Sequence, residues 1–480
     1  MCGGLLAMGV GFQAHGLECG GRVVGWGGSS GIDPELTAGF GHHVTAIAAG
    51  GIYYAGLRAD GTVALGQGNP DFMGAVPPTP DKLRGVKAIF GAKQLFVPNM
   101  FVIKIDGAVT GWGVNDDGQL NIPLAAQSGV RTMAANGGRV VVIKEDGSVF
   151  SWGRPRFGTT VADHNAFLAT EIRPRNPVRV EVSSEYDFYL FADGTAAFVG
   201  IGPNTLRTVV ESATGVLDIR VGQANDAGLL VSNYLPDCAN RLYGQNSSGA
   251  AMIVLHCDVQ AFAVGYDGFY GIRSDRTVSR YGYSSGTMEY FLDLQRVRAV
   301  DLSAIAGLAL VDMTAQERVG EAWGAVFGLL AGLGDPAQPK ADGRELDKAL
   351  AALEGSVAEG LWTSEFTVDS VRGEVVFREL GKAVEHLNKA ATNKAAGEGS
   401  DEFESALGME VRSLLCAASV LAKSALEAAA NGEGNENKLA EGVRAYQEAE
   451  SLAESDRKNS AVKAMDHYGK AWKRAQEAVR

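Results

Sequence analysis

Histidines, acidic residues and cysteines are the side chains of this chain that could bind metal ions or exchange protons. His42-His43 stands just before a predicted strand and has no partner at the spacing of a metal site. The run Asn-Asp-Asp-Gly at residues 115–118 is acidic, but it lacks the alternating ligands and the terminal glutamate of a calcium loop. We therefore expect a solvent-facing loop at the histidines and a turn at the acidic run, with no metal ion or other cofactor.

The five cysteines stand at positions 2, 19, 238, 257 and 416 and include no Cys-x-x-Cys pair, which argues against a zinc site. Cys238 and Cys257 flank a degenerate stretch of the chain. A disulfide between them would stabilise this stretch by roughly 3 kcal/mol if the protein is exported. Two buried thiols are an equal alternative on the sequence alone.

Motifs that carry catalysis are also missing. The sequence contains no nucleophile elbow, phosphate loop or dinucleotide fingerprint in a suitable strand–turn–helix context. We therefore predict a protein that binds other molecules and is not an enzyme. Aromatic side chains are the usual anchors of a protein interface, and the candidate binding residues are Tyr53, Tyr54, Tyr186, Tyr266, Asp267 and Tyr270.

These candidate residues have a second interpretation. Because side chains alternate along a strand, only about half of the aromatic residues can face one side of a sheet. Packing between sheets is therefore the alternative to a contact surface for a partner. Tyr266 and Asp267 are the pair that we expect in an exposed loop.

The elements that must position these residues form a repeat of short strands, in which the first half is a strand and the second half is a hairpin closed by an Asp-Gly turn. First halves begin 38 to 48 residues apart, a spacing typical of propeller blades, at Val44, Val86, Val130, Val178, Val216, Val259 and Val297. Second halves end at Gly27, Gly66, Gly113, Gly153, Gly200, Gly244 and Gly282.

The repeat is split between the two ends of this region. The second half at residues 23–27 has no first half before it, and the first half at Val297 has no second half after it. Six whole units and one split unit make seven. We therefore expect an all-β ring over residues 23–311 whose closing sheet contains both ends of the region.

One segment carries a family resemblance: Gly-Trp-Gly-Val-Asn-Asp-Asp-Gly-Gln-Leu at residues 111–120, followed by Ser-Gly-Val at 128–130, resembles the regulator of chromosome condensation repeat. The resemblance covers roughly residues 20–311 and implies a seven-bladed β-propeller of bacterial type. Propellers bind other molecules through the loops that they present. It therefore implies a scaffold whose loops bind a protein or a glycan.

Secreted bacterial β-lactamase-inhibitor proteins look like this propeller, down to the run at residues 123–130, so enzyme inhibition is one alternative function. Those proteins place aromatic side chains just after the first strand of many blades. The matching positions here are mostly without them, and read Gly51-Ile52, Gly137-Gly138, Ser184-Glu185, Gln223-Ala224 and Tyr266-Asp267.

Two further functions are alternatives. A guanine-nucleotide exchange scaffold would need a protruding loop, for which residues 155–175 are the candidate. An enzyme would need converging acidic or histidine side chains in the central funnel.

The chain after Val311 predicts an α-helical bundle over residues 312–480. Glycine becomes rarer and apolar residues recur at helical spacing, as in the stripe Phe403, Leu407, Val411, Leu414, Leu415 and Ala418 and the stripe Tyr468, Ala471, Trp472, Ala475 and Val479. Turn residues cluster at 334–343, 395–401 and 431–437, so we expect five or six helices. The bundle could serve for docking or oligomerisation.

Charge and the N-terminal residues bear on partners and location. The net charge of −13 divides into −4 through Val311 and −9 afterwards, and neither half has the basic patch of a nucleic-acid-binding protein.

Residues 1–22 predict a leader or a truncated signal segment, with an apolar run at 4–12 and a small-x-small pattern at 14–16. We therefore expect a secreted or cell-surface protein, or a cytoplasmic one if the leader is no signal remnant. No membrane span is predicted.

Overall fold

The computed structural model describes residues 19–27, 39–41, 43–51, 53–66, 83–92, 98–136, 138–155, 158–183, 186–199, 206–208, 215–222, 227–235, 238–245, 253–257, 259–265, 268–282, 288–290, 294–302, 306–332, 340–392, 400–432, 434–455 and 459–479. The first strands in chain order are β1 (Arg22–Gly27), β2 (Val44–Gly50), β3 (Tyr53–Arg58), β4 (Val63–Leu65), β5 (Val86–Ala92), β6 (Asn99–Lys104), β7 (Val109–Gly113), β8 (Val130–Asn136), β9 (Arg139–Lys144) and β10 (Val149–Gly153).

A short helical insertion follows, in which α1 (Val161–Phe167) continues into a π-helical turn (Leu168–Ile172) and a 3₁₀ turn (Arg173–Arg175). The remaining strands up to Val311 are β11 (Pro177–Val182), β12 (Asp187–Phe191), β13 (Ala196–Val199), β14 (Leu206–Thr208), β15 (Val216–Val221), β16 (Ala227–Leu235), β17 (Cys238–Gln245), β18 (Ile253–Cys257), β19 (Val259–Val264), β20 (Gly268–Arg273), β21 (Val278–Gly282), β22 (Met288–Tyr290), β23 (Val297–Leu302) and β24 (Ala306–Val311).

These strands form seven antiparallel sheets within the described residues, each of three or four strands. We number them in chain order as sheet 1 (β2–β4), sheet 2 (β5–β7), sheet 3 (β8–β10), sheet 4 (β11–β14), sheet 5 (β15–β18), sheet 6 (β19–β22) and sheet 7 (β23, β24 and β1). The first strand of each sheet contacts the first strand of the next, and β23 contacts β2 in turn. The sheets therefore form a closed ring with their first strands innermost, which is the arrangement of a β-propeller.

Sheet 7 closes this ring with the two ends of the region, as the split repeat predicts. β1 pairs antiparallel with β24, from Arg22 opposite Val311 to Gly27 opposite Ala306. Just before β1, the backbone of Gly21 exchanges two hydrogen bonds with Val44 of sheet 1, with N···O distances of 2.7 and 3.1 Å. The N-terminal segment is thus bonded to both the last and the first sheet.

Asp-Gly turns close several of the hairpins, and Gly61, Gly107, Gly147 and Gly194 adopt φ angles of 77° to 79°. In each turn the aspartate accepts a hydrogen bond from the backbone N–H two residues later. The same turn recurs at residues 275–277, where Arg276 takes the glycine position at φ 63° and Asp275 accepts from the N–H of Thr277. The chain thus keeps the turn geometry even where the Asp-Gly signal is lost.

The second compact unit is helical, as the sequence predicts. Its described residues contain six helices, α2 (Ala315–Gly332), α3 (Lys340–Ser356), α4 (Glu374–Thr392), α5 (Ser400–Ala430), α6 (Glu436–Ala453) and α7 (Ser460–Val479), and a small hairpin, β25 (Trp362–Ser364) with β26 (Thr367–Val368). The predicted breaks fall between α2 and α3, between α4 and α5, and between α5 and α6. The helices bury one apolar core that includes Leu407, Leu414, Tyr468 and Trp472, whereas Val479 is exposed.

Helix α5 is the longest of these helices. Its stretch Phe403–Ala430 is long and apolar enough to cross a bilayer, and more than half of its most apolar part is buried inside the structure. A core helix of a bundle passes the same test, so this observation is weak evidence for a membrane span.

The boundary between the two units differs slightly from the predicted one. Gly21–Asp312 form one unit, whereas Cys19 and Gly20 group with the helical unit that begins at Met313. A disulfide joins Cys19 to Cys416 of α5 within the helical unit. The leader predicted over residues 1–22 therefore extends too far, because the chain is already part of the folded structure at Cys19. Residues 1–18 lie outside the described residues.

The strand register does not support the disulfide proposed between Cys238 and Cys257. β17 and β18 are neighbours, but Cys257 lies opposite Arg241, which is three residues beyond Cys238. This offset corresponds to roughly 10 Å along the strand. Cysteines whose Cα atoms are more than about 7 Å apart form no bond without backbone movement.

Glu345 on α3 predicts an acid-dependent stability of the helical unit. Its carboxylate lies 2.6 Å from Lys348 Nζ and 2.7 Å from His386 Nδ1 of α4, and hydrogen bonds from these two groups lower the pKa of Glu345 from 4.5 to about 2. A carboxylate whose pKa is lower in the folded than in the unfolded protein stabilises the fold at pH values above its unfolded pKa. This contribution is lost as the pH falls from 4.5 towards 2. We expect Glu345→Gln to reduce the pH dependence of the stability of the helical unit between pH 4.5 and 2, as measured by circular dichroism.

The matched control is Glu374→Gln, which removes a surface carboxylate paired with Lys473 at 2.7 Å. We expect this variant to follow the wild-type acid profile closely, because exposed pairs contribute little. Identical profiles for wild type and Glu345→Gln would contradict the assignment.

Candidate functional site

Three of the predicted binding residues are part of the core. Tyr53, Tyr54 and Tyr270 are 6%, 2% and 2% exposed, and all three lie on strands, not in loops. Tyr53 packs with Ile89 and other residues of sheet 2, and Tyr270 packs against Trp26 at a ring distance of 6.1 Å. Packing between sheets, the alternative interpretation, is what the structure shows for these tyrosines. Their predicted role as surface contacts does not fit their burial.

Tyr186 differs from them because it is partly exposed at the start of sheet 4's second strand. Its ring lies 6.1 Å from Phe188 and 5.6 Å from Phe198, so it covers an aromatic cluster at the edge of the fold. Tyr266 and Asp267 lie outside the described residues, and the loop role predicted for them stays a prediction. The described residues do not bring the six candidates together into one surface.

The acidic run at residues 115–118 is a turn, as predicted. Asn115 Oδ1 accepts a hydrogen bond from the N–H of Leu120 at 2.8 Å, and Gly118 has a φ of 75°. The next residue, Gln119, is buried and donates to Asn99 of sheet 2, while its carbonyl accepts from Trp152 Nε1 of sheet 3 at 2.9 Å. The turn therefore joins two neighbouring sheets. Across the part of the chain that the structure describes, no three His, Cys, Asp or Glu residues are grouped to hold a metal ion.

A group of charged side chains lies on the inner strands of three sheets. We call it the inner-strand charge cluster; it consists of Arg179 and Glu181 on β11, Asp218 and Arg220 on β15, and Asp301 on β23. A one-residue register shift at the start of each strand places these residues at two equivalent positions of the repeat. Both arginine side chains are 31% exposed, so the cluster is accessible from solvent.

Ion pairs connect the four members of the cluster on β11 and β15. Asp218 bridges the two arginines, with Oδ1 3.2 Å from Arg179 Nε and Oδ2 3.2 Å from Arg220 Nε. Glu181 lies 3.2 Å from Arg179 and 3.8 Å from Arg220. Removal from water lowers the pKa of Arg220, but the charges of Asp218, Glu181 and Asp301 together raise it above its ordinary value.

Asp301 comes from a sheet that is not adjacent to sheet 5, so its influence on Arg220 acts across the inside of the ring. Its carboxylate is oriented by the backbone, because Oδ2 accepts from the N–H of Ala49 at 2.9 Å and Oδ1 from that of Leu302 at 3.0 Å. The equivalent positions of the other sheets are mostly small or apolar: Ala46, Ala48, Ala88, Phe90, Thr132, Ala134, Ala261, Ala263 and Ala299. The charge is therefore confined to one arc of the inner ring.

This arrangement is suited to binding. Guanidinium groups donate hydrogen bonds in a fixed planar geometry, and partly exposed carboxylates accept them, so the cluster can bind a polar or charged group. Asp218 and Glu181 are each held by both arginines. The cluster was signalled in the sequence by charges at alternate positions of two predicted first strands.

The described part of the insertion at residues 155–175 packs against the sheets through one face. Its Leu168 and Ile172 are fully buried against sheets 3 and 4. His164 of α1 places Nε2 3.1 Å from Asp187 of β12, and Arg139 of β9 lies 2.9 Å from the same carboxylate. All three side chains are at most 4% exposed. The insertion thus contributes to a buried polar triad that connects two sheets.

No protein-family model and no curated protein matches the chain. Human WBSCR16 is similar in structure at 14% identity and a TM-score of 0.43, over 61% of this chain and 98% of that one. YCF48 from Cyanidioschyzon merolae is similar at 9% identity and a TM-score of 0.33, over 62% and 96% of the two chains. Saccharomyces cerevisiae Sqt1 is similar at 12% identity and a TM-score of 0.34, over 57% and 84%.

Proposed function

We propose that this chain is a non-enzymatic, exported binding scaffold. In this proposal the seven sheets are the seven blades of a propeller of the regulator of chromosome condensation type, and the inner-strand charge cluster binds a charged group of a protein partner. The helical unit serves for docking or oligomerisation. The observation that carries the proposal is the cluster itself, which is solvent-accessible and has its two bridging carboxylates paired with arginines.

Export is the part of the proposal that rests on the disulfide. Disulfides form and persist in oxidising compartments and are rare in the cytosol. The Cys19–Cys416 bond therefore favours a secreted or cell-surface location. The acidic balance of both halves disfavours a nucleic acid as the partner.

The test is a charge-neutral disruption of the cluster in the full-length protein. The variant Arg179→Gln/Asp218→Asn removes one guanidinium and one carboxylate, so the net charge is unchanged and no single charge is left unpaired between them. The matched control is Lys87→Gln/Glu145→Gln, an exposed ion pair at 3.2 Å outside the cluster. Proteins captured from the secreted fraction of the source are compared quantitatively, and each partner is then measured by titration calorimetry as a purified protein.

We expect a partner whose affinity falls at least about tenfold, or 1.4 kcal/mol, in the cluster variant and stays unchanged in the control. Equal affinity for wild type and the cluster variant would contradict binding at the inner strands. Full retention of a partner by the helical unit alone would assign the function to the helices.

A further inference from the structure

The Cys19–Cys416 disulfide is close in sequence to the strand that closes the ring. Only Gly20 separates Cys19 from Gly21, whose backbone bonds to Val44, and β1 begins at the next residue. The disulfide therefore connects the start of the closing segment to α5. Cys416 is 1% exposed, and Cys19 packs against the helical core while remaining partly exposed.

The closing segment is short. β1 has six residues and, among the described strands of sheet 7, stands at the end and pairs with β24. Beyond the Gly21 backbone bonds, Trp26 is its principal buried side chain, at 2% exposure. Edge strands and chain ends open locally at a lower free energy than central strands. The disulfide just before this strand ties the chain that leads into it to α5.

We propose that the Cys19–Cys416 disulfide is a thiol-exchange site that controls closure of the ring of sheets. When the bond is intact, the N-terminal segment is held and β1 stays paired with β24. When a dithiol reductant cleaves the bond, the segment is released and β1 opens more often. This inference does not depend on the proposed binding function, since it concerns the seam in sheet 7.

The exchange reaction is balanced by the dithiol alone. A thiolate of the reductant attacks the Sγ of Cys19, the more exposed of the two residues, and Cys416 leaves as a thiolate. The second thiol of the reductant then displaces Cys19 and forms a disulfide within the reductant. Two electrons and two protons pass from the dithiol to the two cysteines, and no metal or cofactor takes part.

Hydrogen–deuterium exchange of the full-length protein, read by mass spectrometry with and without dithiothreitol, tests the proposal. Reduction is verified by the mass after thiol alkylation. We expect amide exchange in Arg22–Gly27 and Ala306–Val311 to rise about tenfold or more on reduction, while exchange in Val130–Asn136 and Arg139–Lys144 stays unchanged. The variant Cys416→Ser should show the fast exchange without reductant and should not respond to dithiothreitol.

Three outcomes overturn the proposal. One is unchanged exchange in β1 after verified reduction. Another is an equal rise in all seven sheets, because that would indicate general destabilisation and not control of the seam. The third is quantitative alkylation of Cys19 in the unreduced protein, which would show that the bond does not form. Cys19→Ser is the second variant if Cys416→Ser does not fold.

Discussion

Replacing Trp26 with alanine is expected to lower the stability of the propeller by about 3–5 kcal/mol and to open the ring at its seam. Trp26 is 2% exposed and packs between sheets 6 and 7, where it contacts a core that includes Tyr270 and Val300. Without this side chain, β1 keeps its backbone bonds to β24 but loses its largest apolar contact. Amide exchange of β24 and the oligomeric state, measured by light scattering, report the opening.

Trp152→Ala is the matched control for this prediction. Trp152 occupies the equivalent position of sheet 3, with Trp152 paired to Val140 as Trp26 is paired to Gly307, and it is 7% exposed. We expect a similar loss of stability but no selective exchange in β24, because β10 is continuous with its own hairpin. Self-association through the uncovered edge of β24 should appear only in Trp26→Ala. Equal exchange patterns in the two variants would refute a special role of Trp26 in closure.

The second large effect is expected at the buried triad. Asp187→Asn leaves Arg139 charged and buried with no carboxylate beside it, and loss of one partner of a buried ion pair costs about 3–5 kcal/mol. His164 loses the same partner, so the insertion should also be held less tightly against sheet 4 and open more often. Urea unfolding of the propeller and proteolysis within residues 155–175 measure the two consequences.

Glu145→Gln provides the comparison for an exposed pair. Glu145 lies 3.2 Å from Lys87, and both side chains are about half exposed, so its removal should change stability by less than about 1 kcal/mol. A loss at Asp187→Asn no larger than that of Glu145→Gln would show that the triad contributes nothing beyond a surface pair.

The architecture could be predicted because its signals are local. Strand halves, turns and helical stripes each occupy a few residues, and their order alone required the split closing sheet. The Asp-Gly signal of the turn is lost at Arg276. The backbone of this residue adopts φ 63° all the same, because Asp275 and Thr277 form the hydrogen bonds of the turn. The first strand of sheet 4 begins at Pro177, one residue before the predicted Val178.

The functional residues were harder to predict. Their positions depend on the register of the strands and on contacts between residues that are far apart in the sequence. Simple alternation along the strand from Pro177 assigns Arg179 and Glu181 to one face of sheet 4. The register shift between Pro177 and Arg179 places them on the opposite face. The charge of Asp301 acts on Arg220 from a strand 81 residues further along the chain, because β23 and β15 belong to the same closed ring. Tyr53 was a candidate binding residue, but β3 already begins at this residue and its side chain is buried. The partner of Cys19 lies 397 residues away, and no spacing rule connects the two.

Closure by β1 also sets an order of events during synthesis. β1 leaves the ribosome first, yet the strand that it pairs with is made last in this unit, after nearly all of the other sheets. At ordinary elongation rates this delay is roughly 15–60 s. During that time the sheets can assemble one after another from their own hairpins, but the open ring exposes a strand edge at each end. The nascent protein therefore exposes an unpaired strand edge for most of the time that its propeller is being made.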